Sequence, residues 1–199
     1  MKKTLIKPIL TASGLVLLMS IGQVQASAPN AEALSYTCAG CHGTNGASNG
    51  PSIPSLAGLS KDYLVEAMEA YKEDERNPTI MNRIAKGYST KQFEQMGDFF
   101  SAQPVHMIKG QKFDSAKAKA GKKLHKKYCS SCHSEGGTVT DDEAGQLAGN
   151  AANFLRFALD DFHAGRRDMP KKMKKKIKKM LKKDKDAFEK LVHYYSKGE

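Results

Sequence analysis

Apolar residues recur along this chain at intervals of three and four, the spacing that predicts helices with one buried face. Strand-like alternation is absent. We predict helices over residues 60–78, 89–100, 115–129 and 171–192. Ser60 is placed to cap the first helix, and Asn77 and Pro78 to end it. Ser89 and Gln92 have the spacing of a capping box at the start of the second helix. The pattern therefore predicts an all-α protein, with its last apolar stripe on one lysine-rich helix.

Stretches rich in glycine, proline, serine and asparagine separate these helices and predict loops. Two of these stretches, residues 41–55 and 132–145, each begin with a cysteine followed by a histidine. Residues 102–114 form the predicted linker between the two halves of the chain.

The first 26 residues have the pattern of a secretory signal peptide. Lys2, Lys3 and Lys7 precede an apolar stretch, and Val24 and Ala26 provide the small residues of a cleavage site. An uncleaved membrane anchor is the competing interpretation, but glycine and serine interrupt the apolar run, which is short for a bilayer span. We therefore expect cleavage after Ala26, export to the periplasm and a mature chain without a membrane span.

All four cysteines stand in two copies of one pattern, Cys-x-x-Cys-His, within a longer internal repeat. A shift of 91 residues aligns the two copies without a gap. The positions that then correspond include Cys38 with Cys129, Cys41 with Cys132, His42 with His133, Leu56 with Leu147, Tyr63 with Phe154, Tyr71 with Phe162 and Arg76 with Arg167. Such self-similarity indicates a duplicated domain. Each unit is small for a self-sufficient core, which suggests that a prosthetic group helps to fill it.

Three chemistries compete for the paired cysteines. A structural zinc site needs four ligands, and two pairs 91 residues apart are poorly placed to share one. Export makes a disulfide the default for unmodified thiols, but thiol–disulfide exchange gives the histidine no role. Covalent haem c uses every residue of the pattern, because the two cysteines attach the porphyrin and the histidine binds the iron. The sequence therefore predicts two haem c groups, attached at Cys38 and Cys41 and at Cys129 and Cys132, with His42 and His133 as iron ligands.

Methionine is the expected second iron ligand of an electron-transfer haem. In the first half, Met81 lies in a predicted loop, whereas Met68 and Met96 occupy apolar helix faces where methionine is usually core filler. In the second half, Met169 precedes Pro170 in a predicted loop, and Met173 follows on a helix face. We favour Met81 and Met169, with Met173 as the alternative. For the remaining histidines, His106, His125, His163 and His193, we expect surface or structural roles.

The chain is strongly basic, with a formal net charge of +11 at neutral pH. Much of this charge lies in residues 171–185. The lysines there form either a solvated face that covers a core stripe or a docking surface for an acidic partner. Nucleic acid is a poor candidate partner for an exported haem protein.

Four stretches, CAGCHG, TIMNRIAKGYST, KLHKKYCSSCHSEGG and RRDMPKKM, closely resemble the dihaem cytochrome subunit of flavocytochrome c sulfide dehydrogenase. The resemblance extends through essentially the whole mature chain. It implies two tandem cytochrome c-like domains, which we place at residues 27–105 and 106–199, each wrapped around one covalent haem c with His–Met ligation. It also implies a separate FAD-containing subunit that oxidises sulfide, and a soluble acceptor such as a small cytochrome c. The lysine-rich helix departs from the family pattern.

The sequence has no Gly-x-Gly-x-x-Gly fingerprint, so we expect any FAD to lie on a partner and this chain not to be an enzyme by itself. One alternative is a free-standing periplasmic dihaem cytochrome c that delivers electrons to a terminal oxidase or reductase. A dihaem peroxidase is a further alternative, but it requires an iron with an open position, and both halves offer a methionine.

Overall fold

The computed structural model describes residues 30–77 and 79–198. Within those ranges the regular structure is entirely helical, which confirms the predicted all-α class. The helices are α1 (Ala31–Tyr36), α2 (Ala39–His42), α3 (Lys61–Lys72), α4 (Met81–Ala85), α5 (Thr90–Ser101), α6 (Ser115–Tyr128), α7 (Ala152–Ala164), α8 (Lys171–Lys183) and α9 (Ala187–Ser196). None of these helices is long and apolar enough to cross a membrane. The predicted signal peptide lies outside the described residues.

The first half packs α1, α3 and α4 with α5 around one apolar cluster. Its buried members are Leu34, Leu59, Leu64, Ala85, Phe93, Met96 and Phe100. The predicted caps are present, since the Ser60 hydroxyl accepts from the backbone of Tyr63 and Ser89 forms a capping box with Gln92. However, α3 ends at Lys72, five residues before the predicted stop. Asp74 already has a left-handed backbone, with φ of 59°, which turns the chain there.

The second half is organised around the crossing of α6 and α9. A Cβ atom added at Gly121 on α6 would lie 2.0 Å from the carbonyl oxygen of Lys190 on α9. Glycine therefore allows the two backbones to touch at this crossing. The second cluster forms around it, and its buried members include Tyr128, Leu155, Ile177, Met180, Leu191, Val192 and Tyr195.

The prediction of one continuous lysine-rich helix at the end of the chain is wrong, because α8 and α9 are separate. Asp184 has an extended backbone at the end of α8, with φ of −146° and ψ of 105°. Its carboxylate accepts from the Lys190 ammonium at 2.7 Å and from the backbone N–H of Asp186 at 3.1 Å. These local bonds compete with helical backbone bonds and break the helix.

The two halves make direct polar contacts. The Thr140 hydroxyl donates to the carbonyl of Gly58 at 2.9 Å, and the backbone N–H of Asn153 donates to the carbonyl of Pro51 at 3.1 Å. The irregular segment 102–114, at the predicted linker, connects α5 to α6.

Candidate functional site

Both Cys-x-x-Cys-His motifs fold as a single helical turn. In the first, the backbone N–H of His42 donates to the carbonyl of Cys38 at 2.9 Å, and that of Cys41 donates to the same carbonyl at 3.2 Å. In the second, His133 donates to Cys129 at 2.9 Å. A turn of this kind brings the two sulfurs to one side and the histidine close beneath them.

The two loops that follow the motifs contain the same backbone hydrogen bonds at corresponding positions. The Gly46 carbonyl accepts from the backbone N–H groups of Leu56 and Ala57 at 2.8 and 3.2 Å. The Gly137 carbonyl accepts from the corresponding residues, Leu147 and Ala148, both at 2.9 Å. Both glycines have positive φ, 77° and 93°, a conformation that side chains disfavour. The 91-residue repeat therefore reflects two copies of the same local structure.

The imidazole of His42 has its tautomer fixed by a backbone hydrogen bond. It is buried, and its Nδ1 lies 2.8 Å from the carbonyl oxygen of Pro54. Because a carbonyl only accepts, Nδ1 carries the proton and Nε2 keeps a free lone pair. Burial lowers the pKa of His42, and this effect exceeds the opposing effect of the Pro54 carbonyl. The ring is therefore neutral near pH 7, as a metal ligand must be.

His133 has a different environment from His42. Its Nδ1 is buried and makes no hydrogen bond within the described part of the chain. Burial lowers the pKa of His133, while the carboxylate of Asp141 opposes that shift. The second imidazole is therefore also neutral near pH 7, but the structure shows no protein group that fixes its tautomer.

The four thiols are free, with Cys38 and Cys129 half-buried and Cys41 and Cys132 exposed. Burial raises the pKa of the Cys38 and Cys129 thiols. A raised pKa disfavours the thiolate that disulfide exchange requires. The environment of these cysteines thus favours covalent attachment of a prosthetic group over thiol–disulfide exchange.

The structure corrects the environment predicted for Met81. This residue begins the short helix α4 and does not lie within a loop, and its side chain is half-buried. The helix starts here because the Ile80 carbonyl accepts from the backbone N–H groups of Arg83 and Ile84 at 3.0 and 3.4 Å. Met96 is buried and Met68 packs against the same core, in keeping with their interpretation as core residues.

In the second half, Met169 lies in irregular backbone two residues before α8, whereas Met173 lies within that helix. Both side chains pack against the core that also contacts Cys129. Met169 lines a cavity of about 220 Å³ together with Phe162 and Arg167. The structure thus shows the loop position predicted for Met169 and brings both candidate methionines to one core.

Sequence reasoning did not identify the pair formed by His125 and Tyr195. His125 is buried on α6, and its Nδ1 lies 3.0 Å from the Tyr195 hydroxyl on α9. Burial lowers the pKa of His125, and repulsion from a protonated His133 lowers it further. Tyr195 also adjoins Cys129. Since the pair joins residues 70 positions apart, no local pattern could have revealed it.

A second group that sequence reasoning missed lies between the two halves. The guanidinium groups of Arg76 and Arg167 both lie near the side chain of Tyr63. Burial alone would raise the pKa of Tyr63, but the two cations outweigh it and lower that pKa. The only sequence signal was the alignment of Arg76 with Arg167 in the internal repeat.

These observations fit two haem c groups. Each half offers two free thiols and a neutral imidazole on one helical turn, and His42 presents an unprotonated nitrogen. The paired guanidiniums near the junction form no ion pair with a described carboxylate, so they can accommodate anionic groups such as haem propionates.

Comparison with known proteins shows which family models each half of the chain matches. Residues 29–104 match the family Cytochrome c. Residues 116–190 match the family described as Cytochrome C oxidase, cbb3-type, subunit III.

Similar proteins include cytochrome c4 of Stutzerimonas stutzeri, which is 30% identical over 149 residues, 65% of this chain and 69% of that protein. The cytochrome subunit of sulfide dehydrogenase from Chlorobaculum tepidum is 42% identical over 69 residues, 35% of this chain and 62% of that protein. The crystal structure of reduced recombinant cytochrome c4 from Pseudomonas stutzeri superimposes with a TM-score of 0.69 at 26% identity, over 86% of this chain and all of that one.

The family matches and the structural likeness confirm the predicted fold class of two cytochrome c domains in tandem. The two domains and their two motifs, with Cys38, Cys41, Cys129 and Cys132, fit two covalently bound haem c groups, as predicted.

Proposed function

This chain belongs to the dihaem cytochrome c family, and we propose that it is the electron-transfer subunit of a flavocytochrome c that oxidises sulfide. The observation that carries this proposal is the 42% identity to the Chlorobaculum tepidum cytochrome subunit of sulfide dehydrogenase. The chain spans 62% of that relative, so the partner and the substrate are part of the proposal. The proposal includes export to the periplasm after cleavage of the signal peptide.

We assign the ligands of the first haem to residues 27–105 and those of the second to residues 106–199. In the first domain, Cys38 and Cys41 would attach the porphyrin, and His42 and Met81 would bind the iron. The Pro54 carbonyl keeps the His42 proton on Nδ1 and so directs Nε2 toward the metal.

The second domain repeats this arrangement with different support. Cys129 and Cys132 would attach the porphyrin, and His133 and Met169 would bind the iron. Met169 is favoured over Met173 because it lies outside the helix and lines the cavity beside Arg167. Pro170 holds the backbone extended just before α8, with ψ of 139°.

Bound haem supplies a reversible one-electron carrier in each domain. With a flavin on the partner chain as donor, the two domains provide a route from that partner to a soluble acceptor such as a small cytochrome c. The contacts between the halves, including that of Thr140 with Gly58, hold the two domains together along this route.

Isolation of the tagged holoprotein from its native host tests the proposal. We expect a complex with an FAD-containing protein whose haems are reduced by sulfide, and no sulfide-dependent reduction after the flavoprotein is removed. A chain that isolates without flavin, and whose haems are reduced by other donors alone, would contradict the proposal.

A free-standing periplasmic dihaem cytochrome c is the second candidate function. The specific observation in its favour is that this chain aligns with the whole length of the cytochrome c4 crystal structure. In that case the isolated chain would carry two haems and no flavin, and would deliver electrons to a terminal oxidase or reductase.

A further inference from the structure

The surface of α8 is chemically uniform. Nine of its 13 residues are lysine, and none is acidic. The remaining residues are the apolar Met173, Ile177, Met180 and Leu181, which form the stripe packed into the second core. The helix therefore presents a single type of charge to solvent along its whole length. We call the nine lysines the α8 lysine face.

The α8 lysine face has no partner within the described part of the chain. All nine lysines are exposed, and none forms an ion pair with a described carboxylate. Other basic side chains do form such pairs, for example Lys61 with Asp98 and Lys86 with Asp74. The positive charge of α8 is thus available to a second molecule.

The fold does not require this charge, and in part opposes it. Lysines three and four residues apart repel each other on a helix surface. Lys171 and Lys172 occupy the first turn, where the helix dipole disfavours cations, and Pro170 offers no side-chain cap. Burial of the apolar stripe needs none of the nine lysines. A feature that disfavours the helix but does not serve the core indicates a role in recognition.

Helix α8 lies beside the residues proposed to hold the second haem. Met173 of α8 packs against the same core as Cys129, and Lys174 lines the same cavity as Met169. The α8 lysine face is therefore at the edge of the second haem site. A partner seated on it would be close to the second electron carrier.

Charge is also distributed unevenly along the chain. Residues 27–105 contain six basic and nine acidic residues, whereas residues 106–199 contain 23 basic and 12 acidic residues. The resulting field orients an approaching acidic molecule toward the second half before contact.

We propose that the α8 lysine face is the docking surface for an acidic electron-transfer protein that exchanges electrons with the second haem. This inference rests on electron transfer in the proposed function, but not on sulfide or a flavoprotein. Lysine suits such a transient partner, because its hydrated point charges act at long range and release readily.

Two other polyanions fit less well. Phosphate recognition on nucleic acid commonly uses the bidentate guanidinium of arginine, and α8 contains none. An amphipathic helix on a membrane inserts its apolar side between lipids, but Ile177 and Met180 are buried in the core.

The experiment measures oxidation of the ascorbate-reduced holoprotein by plant plastocyanin, an acidic copper protein, in a stopped-flow instrument. The test variant is K175Q/K178Q/K182Q. The control variant, K91Q/K109Q/K112Q, removes the same charge from exposed lysines elsewhere. At an ionic strength of about 10 mM we expect the test variant to react roughly tenfold more slowly than the unmodified protein and to lose most of the salt dependence. The control should stay within about twofold.

The small cationic oxidant tris(phenanthroline)cobalt(III) distinguishes a loss of docking from a disturbed haem site. Both variants should react with it no more slowly than the unmodified protein does. If electron transfer to plastocyanin slows equally in the two variants, the effect comes from net charge alone and the proposal is overturned. An unchanged rate in the test variant would also overturn it. Loss of binding to phosphatidylglycerol vesicles with normal plastocyanin kinetics would assign the face to a membrane instead. Because neither sulfide nor flavoprotein is present, failure of the sulfide proposal leaves this result intact.

Discussion

Arg76 and Arg167 approach one another from the two halves of the chain beside Tyr63, and both cations lower the pKa of its hydroxyl. Each guanidinium also lies over an aromatic ring, at 4.7 Å from the Tyr71 ring centre for Arg76 and 4.3 Å from the Phe162 ring centre for Arg167. Burial, and then the charge of Arg76, lower the pKa of Arg167. Two half-buried cations are thus held together at the junction of the domains.

We expect Arg167→Gln to lower the reduction potential of at least one haem. Positive charge stabilises the reduced state, and for an assumed separation of about 10 Å from the iron its removal contributes about 1–2 kcal/mol at an effective dielectric of about 20. That corresponds to roughly 40–90 mV for one electron. Spectroelectrochemical titration provides the measurement. Arg166→Gln is the matched control, because Arg166 is exposed and already paired with Asp160 and Asp161. A shift of equal size in the control would show that only net charge matters.

The axial methionines can be assigned by absorption spectroscopy. Methionine–iron bonds give oxidised cytochromes c a weak charge-transfer band in the deep red, to which both domains should contribute. We expect Met81→Ala to remove one contribution and Met169→Ala the other, while Met173→Leu and Met68→Leu leave the band intact. Loss of the second contribution in Met173→Leu would transfer the assignment to the helical methionine.

Local chemistry accounts for what the sequence predicted. A capping box such as Ser89 with Gln92 spans four residues, and a haem motif such as Cys38 to His42 spans five. Both can therefore be recognised from a short stretch of sequence. Because the two halves align residue by residue, the structure predicted for one half also applies to the other. The loop position of Met169 was predictable for the same reason, since Pro170 constrains its backbone.

The features that the sequence did not reveal depend on side-chain contacts that apolar periodicity does not record. The separation of α8 from α9 depends on Asp184 and its contact with Lys190, which outweighs a continuous apolar stripe. The contact between His125 and Tyr195 depends on the α6–α9 crossing, where Gly121 has no side chain to keep the helices apart. The first contact is local and the second joins segments 70 residues apart, and neither follows from the spacing of apolar residues.

Tyr195→Phe should destabilise the second domain by about 1–3 kcal/mol. The substitution removes the hydroxyl that His125 Nδ1 contacts at 3.0 Å, and His125 Nε2 already lacks a partner among the described residues. A buried imidazole without hydrogen bonds carries a desolvation cost of that order. Urea unfolding of the holoprotein measures the change. Tyr194→Phe is the control, because the neighbouring ring also packs on His125 but its hydroxyl makes no bond to it. Equal losses in both variants would indicate packing effects only.

The ion pair between α7 and α9 predicts a specific pH dependence of stability. The Arg156 guanidinium donates two hydrogen bonds to the Glu189 carboxylate, at 2.9 and 3.0 Å. Hydrogen bonding to Arg156 lowers the pKa of Glu189 below its ordinary value, and partial burial opposes this only in part. A carboxylate with a lowered pKa stabilises the folded state above its unfolded pKa, about 4.3, and loses that effect as pH falls through the folded value.

Glu189→Gln should therefore cost about 0.5–1 kcal/mol at pH 7, because both side chains remain more than one third exposed and solvent screens the pair. The cost should shrink as pH falls below about 4 and approach zero once Glu189 is protonated in both states. Urea unfolding between about pH 7 and about pH 3 follows the difference between variant and unmodified protein. Glu66→Gln, at an exposed position on α3, should show no such convergence. If the Glu189→Gln and unmodified curves stay parallel over that range, the cost at pH 7 comes from altered packing of α9 and not from the charge of Glu189.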